Sequence, residues 1–316
     1  MMMAGHATAA LPFAAGAAAA GALWALARAY AAYAEGAVRP MDVPAERPLR
    51  VVITGGTRGV GLAMAHKFLS LKDSVLVCGR DERQCEVAKK ELTDAHPHGK
   101  IVVQRADVSK PLDVEALFDT CRATFGGVDI VVSNAGLAAT PKRALAETDP
   151  TDITTLAGAN INGPLLVARY AVPHLAESPS GGALFFLDGT GAWGNGTPGN
   201  AVYGMGKRGV TQLATSLRSE VKQAGLPVGV HMCSPGMVNT RLLRGSLDPG
   251  NARAASAVNA LAAEPSEVSQ WLVPRIRGAP RNASRGLYFR FLTPLGAITR
   301  LLLAAVRGGK RPVKLA

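Results

Sequence analysis

Tyr203 and Lys207 stand four residues apart in Tyr203-Gly-Met-Gly-Lys207, a spacing that on a helix projects a phenol and an ammonium from one face. A cation that close favours phenolate over phenol. A free phenol titrates near ~10, so a tyrosine that gives a proton to a carbonyl and takes it back near neutrality needs such a neighbour. General acid catalysis is the chemistry on offer, against the plainer reading of a solvated helix face. Of the five tyrosines, only Tyr203 has a lysine four residues on. The two intervening glycines weaken the plainer reading, because each costs about 1 kcal/mol against alanine inside a helix and suggests a backbone packed at close quarters. Thirteen residues upstream, Thr190 lies just past the apolar run Ala183-Leu-Phe-Phe-Leu187, a buried strand ending in a turn. A hydroxyl there could bond the same substrate oxygen.

Such a pair has to be held against a cofactor and a substrate, and the upstream chain reads as the frame. Arg50-Val-Val-Ile-Thr54 is a short buried strand, followed by a glycine-rich turn, Gly55 to Gly61, and an amphipathic helix through about Leu69. Glycines in a strand-to-helix turn let the backbone approach a pyrophosphate, whose charge sits at the helix N-terminus. The next strand, Ser74 to Cys78, ends in Gly79-Arg80, where an NAD-binding fold would carry an acid for the ribose hydroxyl. An arginine there holds a 2′-phosphate instead, which favours NADPH over NADH, with Arg58 alongside; two solvated arginines are the alternative.

Helices and strands go on alternating, the mark of a parallel sheet covered on both faces. A helix over Glu82 to Ala95, a strand over Lys100 to Gln104, a helix over Leu112 to Phe125 and a strand over Asp129 to Val132 are expected. Asp107-Val108 after the third strand could cap an adenine pocket, and Ser133-Asn-Ala-Gly136 after the fourth could meet the cofactor; ordinary turn chemistry explains either alone. A helix from about Asp152 to Leu175 carries two amides, Asn160 and Asn162, in an otherwise apolar run. Buried amides need partners, so these are either satisfied core groups or holders of a water. The Tyr203 helix runs to about Gln223, and a strand over Val228 to Met232 follows.

With 316 residues, 48% of them apolar, the chain can bury one substantial core. The natural division is an Ala-rich segment and linker over 1–48, one domain over 49–294 and an apolar helix with a basic tail over 295–316. Cys78, Cys85, Cys121 and Cys233 show no C-x-x-C spacing, so free thiols in a reducing compartment are expected, with neither a disulfide framework nor a metal site. The net charge of +12 would suit nucleic acid, but from Val268 onward there are ten Lys or Arg and no Asp or Glu. That excess is one C-terminal stripe without a nucleic-acid-binding pattern, so no nucleic-acid partner is expected. From Ala7 to Ala27 there are 21 residues without a charge, read as a membrane anchor, a cleaved organelle-targeting segment or a loosely packed helix. Leu295 to Val306 is too short to span a bilayer. It can lie in the membrane surface with Arg300, Arg307, Lys310, Arg311 and Lys314 facing anionic headgroups, or pack over the substrate pocket.

Thr54-Gly-Gly-Thr-Arg-Gly59-Val-Gly61, Asp107, Asn134-Ala-Gly136, Asn160, Tyr203-x-x-x-Lys207 and Pro235-Gly236 resemble, in order and spacing, the short-chain dehydrogenase/reductase family over about Leu49 to Thr240. The resemblance implies an α/β fold, a doubly wound parallel sheet of Rossmann type with seven strands, and an NAD(P) cofactor. It implies Tyr203 as proton donor, Lys207 on the nicotinamide ribose, and Asn160 holding a water that links Lys207 to solvent. It places the cofactor against Thr54, Gly55, Gly56, Thr57, Arg58, Gly59, Val60, Gly61, Arg80, Asp107, Val108, Asn134, Ala135, Gly136, Pro235, Gly236, Val238 and Thr240. Thr190 stands where the family has serine. Local phrases such as Leu187-Asp-Gly-Thr-Gly, Val228-Gly-Val-His and Leu272-Val-Pro-Arg-Ile-Arg277 further resemble the chlorophyll b reductases within that family. These imply chlorophyll b or chlorophyllide b as substrate, a chloroplast location at the thylakoid membrane, and a homo- or hetero-oligomer with a related reductase. Leu243 to Ala263 is then the substrate lid, and Trp193 a ring able to stack on a macrocycle. A reductase of a lipid, retinoid or sterol carbonyl is the nearest alternative, and a non-catalytic cofactor-binding partner protein a more distant one.

Overall fold

The computed structural model describes residues 47–245, 252–282 and 286–306. Val51, Val52 and Ile53 are fully buried, so the first strand, β1 (Arg50–Thr54), is covered on both faces and reads as a continuous apolar run rather than an alternating one. From there the order is α1 (Gly59–Ser70), β2 (Ser74–Gly79), α2 (Glu82–Ala95), β3 (Ile101–Arg105), α3 (Pro111–Phe125), β4 (Ile130–Ser133), α4 (Pro150–Ala157) and α5 (Gly163–Ala176). The chain continues through β5 (Gly182–Leu187), α6 (Ala201–Gln223), β6 (Val228–Ser234), α7 (Arg241–Gly245), α8 (Ala252–Leu261), α9 (Pro265–Arg277), β7 (Tyr288–Arg290) and α10 (Pro294–Val306). The seven strands form one sheet in the order β3-β2-β1-β4-β5-β6-β7, and every pairing is parallel. This is the doubly wound architecture expected from the alternation.

Two apolar layers enclose the sheet. On one face Val52, Leu76, Val131, Leu184 and Phe186 meet Phe118 of α3, Ala171 of α5 and Ala214 of α6. On the other, Val51, Ile53, Val77, Val132 and Phe185 meet Phe68 of α1 and Leu272 and Ile276 of α9. All four cysteines are buried free thiols. The strand starts are tied by two buried carboxylates. Asp129 accepts from Arg47 at 2.7 and 2.8 Å, from the Arg50 side chain at 2.8 Å and from Ser178 Oγ at 2.6 Å. Burial would raise its pKa, but the bonds from Arg47, Arg50 and Ser178 outweigh this and hold it far below the usual carboxylate range. Asp73 accepts from Arg277 Nε at 2.7 Å and from the Leu49 amide at 2.9 Å.

Three expectations are corrected. The helix expected over Asp152 to Leu175 is interrupted by a π-type turn at Gly158–Asn162, an insertion that widens one helical turn. Only Asn160 of the two amides is buried there; Asn162 is exposed. Arg300 does not face outward, because its guanidinium pairs with Glu267 at 2.8 Å and donates to the Leu261 carbonyl at 3.1 Å. The outward side of α10 is instead apolar, with Leu295, Ile298, Leu301 and Leu302 each at least 42% exposed. Among the described residues no helix is long and apolar enough to cross a membrane. The Ala-rich stretch from Ala7 to Ala27 and the basic residues Arg307, Lys310, Arg311 and Lys314 lie outside the described residues.

Candidate active site

The strand order reverses direction between β1 and β4, and in an open parallel sheet the crevice beyond the strand ends at such a point is where ligands bind. Thr54, the last residue of β1, is buried, and its hydroxyl accepts from the Asn134 and Ala135 amides at 3.1 Å each. Asn134 Nδ2 returns bonds to the Thr54 and Gly55 carbonyls at 2.9 and 3.0 Å. These residues lock the ends of β1 and β4 together and so fix the shape of the glycine turn. Gly55 has φ +64°, and a Cβ there would lie 2.8 Å from Ala135 Cα, so the turn needs glycine at this point.

The first turn of α1 carries no acidic residue, and Arg58 before it makes no side-chain cap. Its N–H groups are therefore free for an anion, and the helix dipole favours one. Thr240, beyond β6, comes over this turn: a Cβ on Gly59 would lie 3.2 Å from its Cγ2. Arg58 and Arg80 are both exposed at the same edge. A cradle of backbone and an uncapped helix start fit the diphosphate of a dinucleotide.

Other residues expected against the cofactor also take part in local bonds and packing. The Asp107 carboxylate accepts from the Ser109 amide and hydroxyl at 3.0 and 2.7 Å, a local turn. Burial would raise its pKa, but those two bonds and the Arg80 charge lower it overall. Val108 is buried against α3 and α5. Gly236 has φ +69° and abuts Leu292, and Val238 bridges to Ala263. Pro235 directly follows β6 at the carboxyl edge of the sheet. Ala262 and Ala263 of the expected lid are buried, so the end of that segment is anchored to the domain.

Tyr203 and Lys207 occupy the first two turns of α6, as the spacing predicts. The close packing predicted from the two glycines is present: Gly204 abuts Thr197, and a Cβ on Gly206 would lie 2.7 Å from Asn160 Cβ. Asn160 sits in the π-type turn and spans the loop after β4, its Oδ1 accepting from the Leu137 amide at 3.0 Å and its Nδ2 donating to the Leu137 carbonyl at 2.7 Å. Leu137 has no strand partner, so this amide satisfies both of its backbone groups. Each end of the Asn160 amide keeps capacity for one further bond, such as a water. Gly136 lies between it and the lysine, since a Cβ there would be 3.1 Å from Asn160 Oδ1 and 3.9 Å from Lys207 Nζ.

Lys207 is buried and its Nζ donates to the Leu187 carbonyl at 2.8 Å. Burial pushes its pKa down to about 8, with the Asp188 charge opposing. The expected lowering of the Tyr203 pKa is absent: burial, reinforced by Asp188, pushes it up to about 12. Burial disfavours a second anion near a carboxylate more than this ammonium favours one. Thr190 is exposed at the turn after β5 and makes no bond to Tyr203 among the described residues; its neighbour Gly189 is the residue packed on the Tyr203 hydroxyl. The sequence assigns Asp188 no role beyond its place in Leu187-Asp-Gly-Thr-Gly. The available signal was a carboxylate placed directly after a wholly buried strand.

The sequence model of the short chain dehydrogenase family matches residues 50–249. The chain is 36% identical over 270 residues to chlorophyll(ide) b reductase NOL, chloroplastic, of Oryza sativa subsp. japonica, covering 84% of this chain and 77% of that protein. It is 34% identical over 274 residues to the protein of the same name in Arabidopsis thaliana, covering 85% and 77% respectively. Among solved structures it is similar to a 3-ketoacyl-(acyl-carrier-protein) reductase from Brucella melitensis complexed with NADH, at 25% identity and a TM-score of 0.65, covering 76% of this chain and 95% of that one.

Proposed function

Because this chain belongs to the short-chain dehydrogenase family and is an oxidoreductase that uses a nicotinamide cofactor, we propose that it reduces the 7-formyl group of chlorophyll b or chlorophyllide b to a 7-hydroxymethyl group with NADPH. The observation that carries the substrate is the likeness to two chloroplastic chlorophyll(ide) b reductases over more than four-fifths of the chain. A chloroplast location follows from the same likeness.

A dihydronicotinamide, when bound, would supply the hydride. Tyr203 supplies the proton from Oη to the oxygen of the formyl group as its carbon is reduced, and its raised pKa keeps that proton in place at neutrality. Lys207 holds positive charge beneath the phenol, which eases its passage through a phenolate. Asn160 fixes the loop that carries Gly136 over the lysine. The glycine turn and the start of α1 would hold the diphosphate, and Arg80, together with Arg58, would hold the 2′-phosphate. Thr190 is exposed and the Trp193 ring half-exposed in the segment after β5 that also carries Gly189 against the Tyr203 hydroxyl.

The outward apolar side of α10, continued by the basic residues of 307–314, supports docking at the thylakoid surface where such a pigment resides. The test is to incubate the purified protein with NADPH and chlorophyllide b and separate the pigments by chromatography. The 7-hydroxymethyl product is expected; its absence alongside turnover of a keto lipid would assign the site to lipid carbonyls instead.

A further inference from the structure

Asp188 is only 6% exposed, and a buried carboxylate needs donors. It has two on one oxygen: Tyr288 Oη donates to Oδ2 at 2.7 Å and Trp193 Nε1 at 3.3 Å. Tyr288 reaches it from the edge strand β7, and the two rings meet edge to face with centroids 5.3 Å apart. The Asp188 amide donates to the Cys233 carbonyl at 2.9 Å, extending the β5–β6 ladder by one residue. On either side of Asp188 in the chain are the supports of the acid pair. The Leu187 carbonyl takes Lys207 Nζ, and Gly189 is packed on the Tyr203 hydroxyl.

We infer that Asp188 is a positioning residue for the Tyr203–Lys207 pair: gripped by Tyr288 and Trp193, it pins the Leu187–Gly189 segment on which both side chains rest and sets a fixed negative charge beside them. The inference rests on the proposed role of that pair. Support alone would be met at lower cost by an apolar side chain of similar volume, since a buried charge carries a desolvation penalty. The titratable and polar groups facing the carboxylate are Tyr203 and Lys207 from α6, Cys233 from β6, Tyr288 from β7 and the Trp193 indole N–H. Its charge opposes loss of a proton from both members of the pair.

The test compares Asp188→Asn, Tyr288→Phe and Tyr203→Phe in the full chain, with kcat and KM measured across pH and NADPH binding measured separately. Asp188→Asn should lose roughly tenfold in kcat with little change in KM, and its pH profile should move about one unit toward lower pH because the charge that retains both protons is gone. Tyr288→Phe, which keeps the carboxylate but loses its shortest bond, should lose several-fold in kcat while keeping the parent's pH profile. An Asp188→Asn chain with the parent's kcat and pH profile, beside an inactive Tyr203→Phe, overturns the positioning role alone. A Tyr203→Phe chain that keeps its rate overturns the reading of the pair itself. Should Asp188→Asn fail to fold, Tyr288→Phe decides: an unchanged kcat overturns the inference.

Discussion

Lys207 Nζ stands 5.6 Å from the centre of the Tyr203 ring, donates one N–H to the Leu187 carbonyl and makes no bond to the phenol among the described residues. The lysine therefore acts on the phenol through charge rather than through a shared proton. Its own proton becomes the sensitive one, because burial has brought its pKa near the working range.

The rate of carbonyl reduction should accordingly be level below about pH 7 and fall above about 8 as the ammonium is lost. The sign follows from which form is needed: the protonated lysine is active, and a lowered pKa means it disappears earlier as pH rises. Tyr203→Phe should lose at least roughly 10²-fold in kcat while still binding NADPH, and Lys207→Met should lose both rate and the alkaline limb. Steady-state kinetics from pH 6 to 10 check this; an alkaline limb unchanged in Lys207→Met would assign the titration to another group.

Cofactor choice should follow Arg80. A guanidinium gains a charge-assisted pair with the 2′-phosphate of NADPH and nothing comparable from NADH, so NADPH should bind roughly tenfold or more tightly, about 1.4 kcal/mol. Arg80→Asp should reverse the order. Fluorescence titration of both cofactors decides, and equal affinities in the parent would remove the argument.

Acid should weaken the fold through His231. Its ring is fully buried, with Nε2 donating to the Pro280 carbonyl at 2.8 Å and Nδ1 accepting from the Leu287 amide at 3.1 Å. That arrangement requires the neutral ring, and burial pushes its pKa down to about 4 against the Pro280 bond. Between about 6.5 and 4 the unfolded chain takes up a proton that the folded one refuses, so stability present above 6.5 is lost as pH falls through that window. The full effect is on the order of 3 kcal/mol. Urea unfolding at stepped pH should show it, with a smaller slope in His231→Gln; identical slopes would place the acid sensitivity elsewhere.

Membrane contact should depend on the outward side of α10. Replacing Ile298 and Leu302 by Glu should weaken sedimentation with anionic vesicles at least fivefold in a chain lacking residues 1–46, because apolar insertion and charge attraction act together. Loss of residues 307–316 should weaken it further and more so at low salt. Vesicle binding that survives both changes would exclude this surface.

The sheet was legible because its strands are short apolar runs buried on both faces, each bounded by glycine or a polar residue, as Arg50–Thr54 shows. The glycine turn and the Tyr203–Lys207 spacing were legible for the same reason: both are local. The break at Gly158–Asn162 was not, since a π-type turn leaves no period of its own and is fixed by what Asn160 must reach in the loop after β4. Nor was the three-residue strand β7, too short to carry an alternation. Arg300 was misplaced because its partner Glu267 lies 33 residues away. The role of Asp188 is not legible in its local phrase because its partner Tyr288 lies 100 residues on.

The two edges of the sheet are built to different tolerances. At the strand starts, Asp129 and Asp73 are saturated by Arg47, Arg50, Arg277, Ser178 and backbone amides, and removing any one donor leaves a buried carboxylate short of partners. At the strand ends, Arg58, Arg80 and Thr190 project from turns with exposed side chains. Heritable change is thus channelled: the carboxyl edge can exchange residues and be retuned to another cofactor or carbonyl, while the amino edge admits few replacements and keeps the scaffold recognisable as it does so.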